Sequence, residues 1–462
     1  MRTPGAILLV ACYELGHQPL GVAWPAAVLE ARGYRPALLD VSMDPFDGAR
    51  AATARVAAIA VPMHTALRIG LGVAERVRAV NPGCHVSFFG LYAGLNADHL
   101  LANGADSVIS GEAESPLVGL VEALDAGGDW RAVPGVSSSA RRAAPHLVRL
   151  DLPVPSRAAL PALARYVKLE RDGTRIVTGY TEASRGCLHL CTHCPIPPVY
   201  GGRFFAVPLD VCVADIRQQV AAGARHITFG DPDFLNGPTH ALRVARALHR
   251  EFPGVSFDFT AKVEHLLRRR ELLPEFADLG CAFIVSAVES LSDTVLRHLD
   301  KGHARADVAE ALRAVREAGI ALRPTWVAFT PWTSLDDYRE MLDFAEAEGL
   351  IDHVDAVQWA LRLLVPPGSL LLDSPAMRPY LGELAQADLT YRWTHPDPRM
   401  EELHQAVAAA VTRAAERQED AAATFATVRG LADVAAGAPA RPALALAGDR
   451  WRPPRLTEPW FC

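Results

Sequence analysis

Twice along this 462-residue chain, short apolar runs alternate with stretches of helical periodicity, and a proline-dotted segment separates the two series. This alternation limits the fold more than any other feature, because a strand-helix-strand order is satisfied by a parallel sheet with helices packed on its faces. The first series covers residues 6 to about 125, with strand candidates AILLVACY, PALLDVS, VAAIAVPM, HVSFFG and DSVISG. Between them, LGVAWPAAVLEARG, IGLGVAERVRAVNPG and NADHLLANGA carry apolar residues three and four apart and stop at Gly or Pro-Gly. Residues 1–125 therefore read as an open, doubly wound, Rossmann-like α/β domain. Its ligand belongs beyond the strand ends, near Glu14 to Gly21, Met63 to Thr65 and Gly90 to Gly94. The GxGxxG fingerprint of a dinucleotide site is absent.

Residues 126–175, irregular and proline-dotted, read as a linker between domains. The second series, residues 176–370, has six strand candidates: RIVTGYTEA, HITFGDP, SFDFTAKV, FIVSAVES, ALRPTWVAF and VDAVQWALRLL. Six such units predict a partial (β/α)6 TIM-like barrel with its chemistry at the C-terminal ends of the strands. Gln358, Trp359 and Arg362 on the last of these strands are the candidates for substrate contact. Residues 371–435 read as a helical extension and residues 436–462, rich in alanine and proline, as a flexible tail. The net charge of −7 and the shortness of basic runs such as Arg268-Arg269-Arg270 argue against a nucleic-acid partner. No run reaches the roughly eighteen apolar residues of a membrane span, so no membrane partner is expected. Cys12, Cys84, Cys212, Cys281 and Cys462 show no disulfide-like spacing, and the expected compartment is the reducing cytoplasm.

The remaining three of eight cysteines crowd into GCLHLCTHCPIPPVYGG, where Cys187, Cys191 and Cys194 follow the first barrel strand with spacing C-x3-C-x2-C. Soft thiolates match an iron-sulfur site, and three of them hold three corners of a four-iron cubane while leaving the fourth iron open. The alternative is zinc in an interaction module, with His189 or His193 as fourth ligand. A cluster that only shuttles electrons is another.

This motif, at this place in the chain, resembles that of the radical S-adenosylmethionine (radical SAM) enzymes. The resemblance implies a 4Fe-4S cluster on Cys187, Cys191 and Cys194, binding and reductive cleavage of S-adenosylmethionine, and an electron donor such as flavodoxin or ferredoxin. His193 takes the place of a residue that commonly touches adenine. GDPDFLNG resembles the loop holding the methionyl amine, which assigns Asp231 and Asp233 to that role. TAKVEHL puts Thr260 and Lys262 near the cofactor carboxylate, and SAVESLSDTVLRHLDKGH puts Glu289 and Ser290 near the ribose. FTPWTSLDDY resembles the fifth-strand turn, with Thr333, Ser334 and Asp336 as helix caps. The first domain resembles the cobalamin-binding type, but ACYELGHQPLG replaces DxHxxG, so a bound cobalamin is expected without a histidine on its metal; the alternative is a scaffold that binds nothing. The ending RLTEPWFC resembles a subgroup whose tails finish Cys-Cys-Ala-Glu-Pro or Cys-selenocysteine-Ala-Glu-Pro, which makes Cys462 a candidate catalytic thiol, with a selenocysteine expected to follow it in the natural protein. The implied reaction is radical alkylation or rearrangement of a small molecule; the alternative is transfer of the 3-amino-3-carboxypropyl group of S-adenosylmethionine to a metalloid such as arsenic.

Overall fold

The computed structural model describes residues 1–149, 151–439, 441–442 and 450–458. In the first domain, β1 (Ile7–Ala11), β2 (Ala37–Asp40), β3 (Val56–Ala60), β4 (His85–Phe89) and β5 (Ser107–Ile109) form a parallel sheet in the order β2-β1-β3-β4-β5. Burial on both faces explains the continuous apolar strands: Leu8 and Val10 enter one core with Ile59 and Phe88, whereas Ile7 and Leu9 enter the other with Ala58 and Phe89. The chain leaves β1 for β2 and returns past β1 to β3, so the order reverses between β1 and β3. The crevice at that reversal is where doubly wound sheets hold ligands.

The linker predicted for residues 126–175 is a docked connector. Its first part supplies β6 (Val136–Ser137), antiparallel to β5, so the first sheet runs past residue 125. Further on, Trp24 Nε1 donates to Pro153 O, and the buried Arg157 spans both domains. The Arg157 guanidinium donates to Asp215 (2.7 and 2.9 Å), to Gln18 Oε1 (3.0 Å) and to Tyr180 O (2.7 Å).

The second sheet opens on the hairpin of β7 (Lys168–Arg171) and β8 (Thr174–Thr181), turned by Asp172 and Gly173 at φ 50° and 73°. After β9 (Ser184–Gly186) and β10 (Phe204–Ala206), β11 (His226–Phe229), β12 (Ser256–Thr260), β13 (Cys281–Glu289) and β14 (Ala321–Trp326) continue it, parallel to β8 and in that order. One face packs Ile227, Phe229, Phe257, Phe259 and Ile284 against the helices. The sixth strand expected from VDAVQWALRLL is missing. Residues Ala356–Ala360 are a 3-10 turn, and Arg362 alone makes a parallel bridge, to Phe329. The edge of β14 is closed by side chains instead: Gln358 Oε1 accepts from Trp326 N (2.9 Å), and Arg323 pairs with Asp355 (2.9 Å).

The extension is only partly helical. Residues Leu381–Ala385 (β15) and Thr390–Trp393 (β16) form a hairpin reaching the first domain, where Leu389 enters the core and His64 Nε2 lies 2.7 Å from Asp388 O. Helices Pro398–Glu416 and Ala421–Ala435 follow. The segment 450–458, expected to be flexible, is paired. Its Arg455–Leu456 (β17) lies antiparallel to β7, and Thr457 exchanges hydrogen bonds with Lys168. Tyr13 in the first domain donates to Glu458, and Leu456 packs with Leu169 and Phe283. Among the described residues, no helix is long and apolar enough to cross a membrane.

Candidate active site

The cysteine segment is a loop held closed at its base. Strands β9 and β10 pair antiparallel, Gly186 with Phe204, and Gly186 has φ 77°. A Cβ there would collide with Arg203 O and the Tyr200 ring, so only glycine allows the loop to leave the hairpin at this angle. Above it, Cys187, Cys191 and Cys194 are free thiols, the first two buried and the third partly so. Burial, then the nearby Cys191 and Cys187, push the Cys194 thiol up to about 12. A soft metal cluster is the partner that offsets this cost by taking the thiolates. The loop is anchored at its centre, where Thr192 N donates to Leu299 O (3.1 Å) and Thr192 Oγ1 to His298 O (2.8 Å). Asn236 Oδ1 accepts from Leu188 N (3.2 Å) and faces Cys187 Sγ at 3.8 Å.

Of the residues expected to meet the cofactor, several gather here, already engaged. Glu289 ends β13 at φ 65°, a left-handed conformation costly for a glutamate. Its carboxylate lies 3.3 Å from His193 Nε2 and 3.2 Å from Lys301 Nζ. Burial disfavours the Glu289 charge, but Lys301 and His193 outweigh it and hold the carboxyl down at about 2. Asp233 accepts from Leu235 N (2.9 Å), Lys262 N (3.2 Å) and His265 Nδ1 (2.9 Å). With His189 and His265 it forms a group whose ligand atoms lie within 4.8 Å, close enough to share one cation. Lys262 Nζ lies 3.5 Å from Glu264, and Ser290 Oγ accepts from Ser292 N. Thr260 ends β12, half-buried. Asp231 is engaged just before the cysteine loop: it accepts from Ala183 N (2.9 Å) and Ser184 Oγ (2.5 Å), and burial pushes its carboxyl up to about 7.

Lys301, His265, Asn236 and His303 were not singled out from the sequence. The signal for Lys301 was present in HLDKGH but carries no spacing rule. Around the cysteine loop, His189 Nε2, His193 Nδ1 and Asn236 Nδ2 are buried with no hydrogen-bond partner among the described residues. Native interiors rarely leave such atoms unpaired, and their concentration here marks a pocket shaped around a polar group. The residues present thus fit both a cluster and a polar ligand beside it.

The three substrate candidates do not converge on this pocket. Trp359 is core, packed against Phe425, and Gln358 caps the end of β14. Arg362 is bound through two nitrogens to Glu401 (2.8 Å each) and stacks on Trp393. Of the fifth-strand caps, Ser334 begins the helix Leu335–Ala347 and accepts from Asp337 N, whereas Thr333 bonds Thr330 and Asp336 lies in the helix's first turn. Cys462 lies outside the described residues.

A second feature joins the domains. A cleft of about 220 Å³, open at its rim, is walled by Leu20, Pro62 and Leu91 on one side and Ile196, Val199 and Tyr200 on the other. Ala60, Gly90 and Gly111, at or just beyond the strand ends, leave backbone at its floor. At its end Arg185 holds three carboxylates: Glu112 (2.6 Å), Glu114 (2.7 Å) and Glu182 (3.0 Å). Burial raises the Glu182 carboxyl to about 6 although Arg185 opposes it. His17, buried and stacked on Tyr180, does not line the cleft.

Residues 181–345 match the family model described as the Radical SAM superfamily. Over 267 residues the chain is 26% identical to the hopanoid C-3 methylase of Methylococcus capsulatus, covering 57% of this chain and 50% of that one. The chain spans about half the length of the curated relatives it matches. Among solved structures, the cobalamin-dependent S-adenosylmethionine radical enzyme OxsB, with aqua-cobalamin bound, is similar with a TM-score of 0.70 at 15% identity, over 87% of this chain and 66% of that chain. The radical S-adenosylmethionine methyltransferase TsrM from Kitasatospora setae gives 0.59 at 17% identity, over 74% and 71%.

Proposed function

With residues 181–345 a radical SAM domain, we propose that the protein transfers an alkyl group derived from S-adenosylmethionine to a small molecule, with a 4Fe-4S cluster on Cys187, Cys191 and Cys194. The observation that carries this reading is the loop of three cysteines with buried nitrogens of His189, His193 and Asn236 beside it that lack a hydrogen-bond partner among the described residues. Such a cluster supplies one electron to the sulfonium, which breaks a carbon-sulfur bond homolytically. The chain's own part is to hold and shield. Thr192 pins the loop to the turn at His298 and Leu299, and Asn236 faces the first cysteine. Asp233 and the loop before it meet the methionyl amine. Charge pairs at Lys262, Glu289 and Lys301 set the polarity where the carboxylate and ribose lie. Asp231 serves indirectly by fixing Ala183 and Ser184, immediately before the cysteine loop.

The cleft between the domains suits a corrinoid. Gly90 and Gly111 leave room beside the strand ends, and apolar side chains from both domains line the cleft, as a flat macrocycle would require. A cobalamin there supplies a carrier for the alkyl group, and the likeness to OxsB supports this assignment. The electron donor, a flavodoxin or ferredoxin, meets the cysteine loop at Leu188 and Leu190, whose side chains are 46% and 51% exposed.

The test is anaerobic reconstitution with iron and sulfide, then S-adenosylmethionine and dithionite, with and without hydroxocobalamin. The expected results are about four irons per chain, a nucleoside product cleaved from S-adenosylmethionine, and a cobalamin spectrum altered on binding. A colourless protein that retains zinc, or unchanged cleavage after Cys187→Ala, sinks the reading.

A further inference from the structure

The cysteine loop rests on a turn that carries a buried charge, the Lys301 ammonium. Lys301 is 2% exposed. It sits in the turn following the helix Asp293–His298, where Lys301 N donates to Leu296 O (3.1 Å). Thr192 docks on the same turn through both its backbone and its hydroxyl, so the segment Cys191–Cys194 lies directly against it. The Lys301 ammonium lies 3.2 Å from Glu289 Oε1, and Glu289 in turn lies 3.3 Å from His193, the residue before Cys194.

The order of charges matters. Burial alone works against the Lys301 ammonium, yet Glu289 and then Cys191 and Cys194 hold its pKa above the ordinary lysine value. Lys301 is in turn among the groups that act on the Cys194 thiol, where it opposes the effect of burial. The ammonium is thus a buried positive charge on the turn that carries the cysteine loop, and Glu289 is its carboxylate partner. The left-handed backbone of Glu289 is consistent with a carboxylate held to that position by its surroundings.

We propose that Lys301, backed by Glu289, is a positioning charge that raises the reduction potential of the cluster held by Cys187, Cys191 and Cys194. This rests on the cluster reading above. A cubane with three thiolates carries one net negative charge when oxidised and two after accepting one electron from a flavodoxin- or ferredoxin-type donor. No proton is needed, because the fixed ammonium already balances the added charge. A buried cation favours the more negative state, and an anion beside it disfavours that state.

The measurement is a redox titration of the reconstituted protein without S-adenosylmethionine, following the reduced-cluster signal by electron paramagnetic resonance. Lys301→Met is expected to lower the reduced-to-oxidised ratio at a fixed potential about tenfold, a shift of about 59 mV for one electron. Glu289→Gln is expected to move the potential the opposite way, and Lys301→Arg to retain it. The double variant Glu289→Gln/Lys301→Met, which leaves no unpaired charge, guards against misfolding and is expected to lie between the two single variants. Opposite signs for the two single variants are the outcome that a purely structural pair does not produce. If wild-type protein forms the cluster but both single variants shift the same way or neither shifts, the inference is overturned while the cluster reading stands. If wild-type protein forms no cluster, both fall.

Discussion

Glu14 sits half-buried at the domain junction, accepting from Leu20 N (2.9 Å) and Gly21 N (3.0 Å). Burial, reinforced by the charge of Glu182, raises its carboxyl from 4.5 to about 8 despite those two donors. In the unfolded chain the group ionises near 4.5, so between that pH and about 8 the folded state retains a proton that the unfolded state has lost. Its stabilising contribution is full below 4.5 and declines as the pH rises through about 8. Urea unfolding at pH 5, 7 and 9 is expected to show wild type losing stability relative to Glu14→Gln along that series. The residue scale also shows what a sequence reveals of a site. Three cysteines within eight positions announce their chemistry locally. The partners of Glu289 do not, because His193 is 96 residues away and only the approach of the cysteine loop to β13 brings them together. Asp231 and Asp233 stand two apart, yet one turns toward Ala183 and the other toward His265, a distinction set by the fold around them.

Among the elements, the β9–β10 hairpin is the one whose geometry the cysteine loop depends on most directly. Gly186→Ala places a methyl group against Arg203 O on a backbone with φ 77°, and is expected to cost about 1–3 kcal/mol. Iron content after reconstitution is expected to fall with the melting temperature, because the hairpin sets the first cysteine; retention of both shows that the hairpin yields without disturbing the loop. Long buried strands were legible from their apolar runs, and β1, β3, β4, β12 and β14 each fall inside a predicted run. Short or sidechain-capped elements were not. The run VDAVQWALRLL carries a strand-like pattern, but Asp355 and Gln358 are spent on Arg323 and Trp326, so the backbone coils tightly where a strand was expected. Strand β17 contains only Arg455 and Leu456, too few for any periodicity, and forms because Thr457 and Lys168 bond each other in register.

At the scale of the whole molecule, the two domains are joined by charge inside the structure rather than by a loose tether. Arg157 reaches from the connector to Asp215, which is fully buried, and Arg157→Met leaves that carboxylate without its cation. The expected loss is about 3–5 kcal/mol of unfolding free energy, read by chemical denaturation; a loss under about 1 kcal/mol shows that Gln218 and Gln219, which also donate to Asp215, suffice. Composition alone suggested a linker here, since proline-rich irregular chain looks the same whether it hangs free or is docked. The β15–β16 hairpin extends the same theme. Its tip residue Leu389 belongs to the same core as Val10, Ile59 and Phe88, so part of the first domain's interior is contributed by chain some 250 residues beyond that domain's last strand. Genetic exchange that swapped the first domain for another would therefore leave a socket without its plug, and the two halves are constrained to drift together over generations rather than to be traded as separate cassettes.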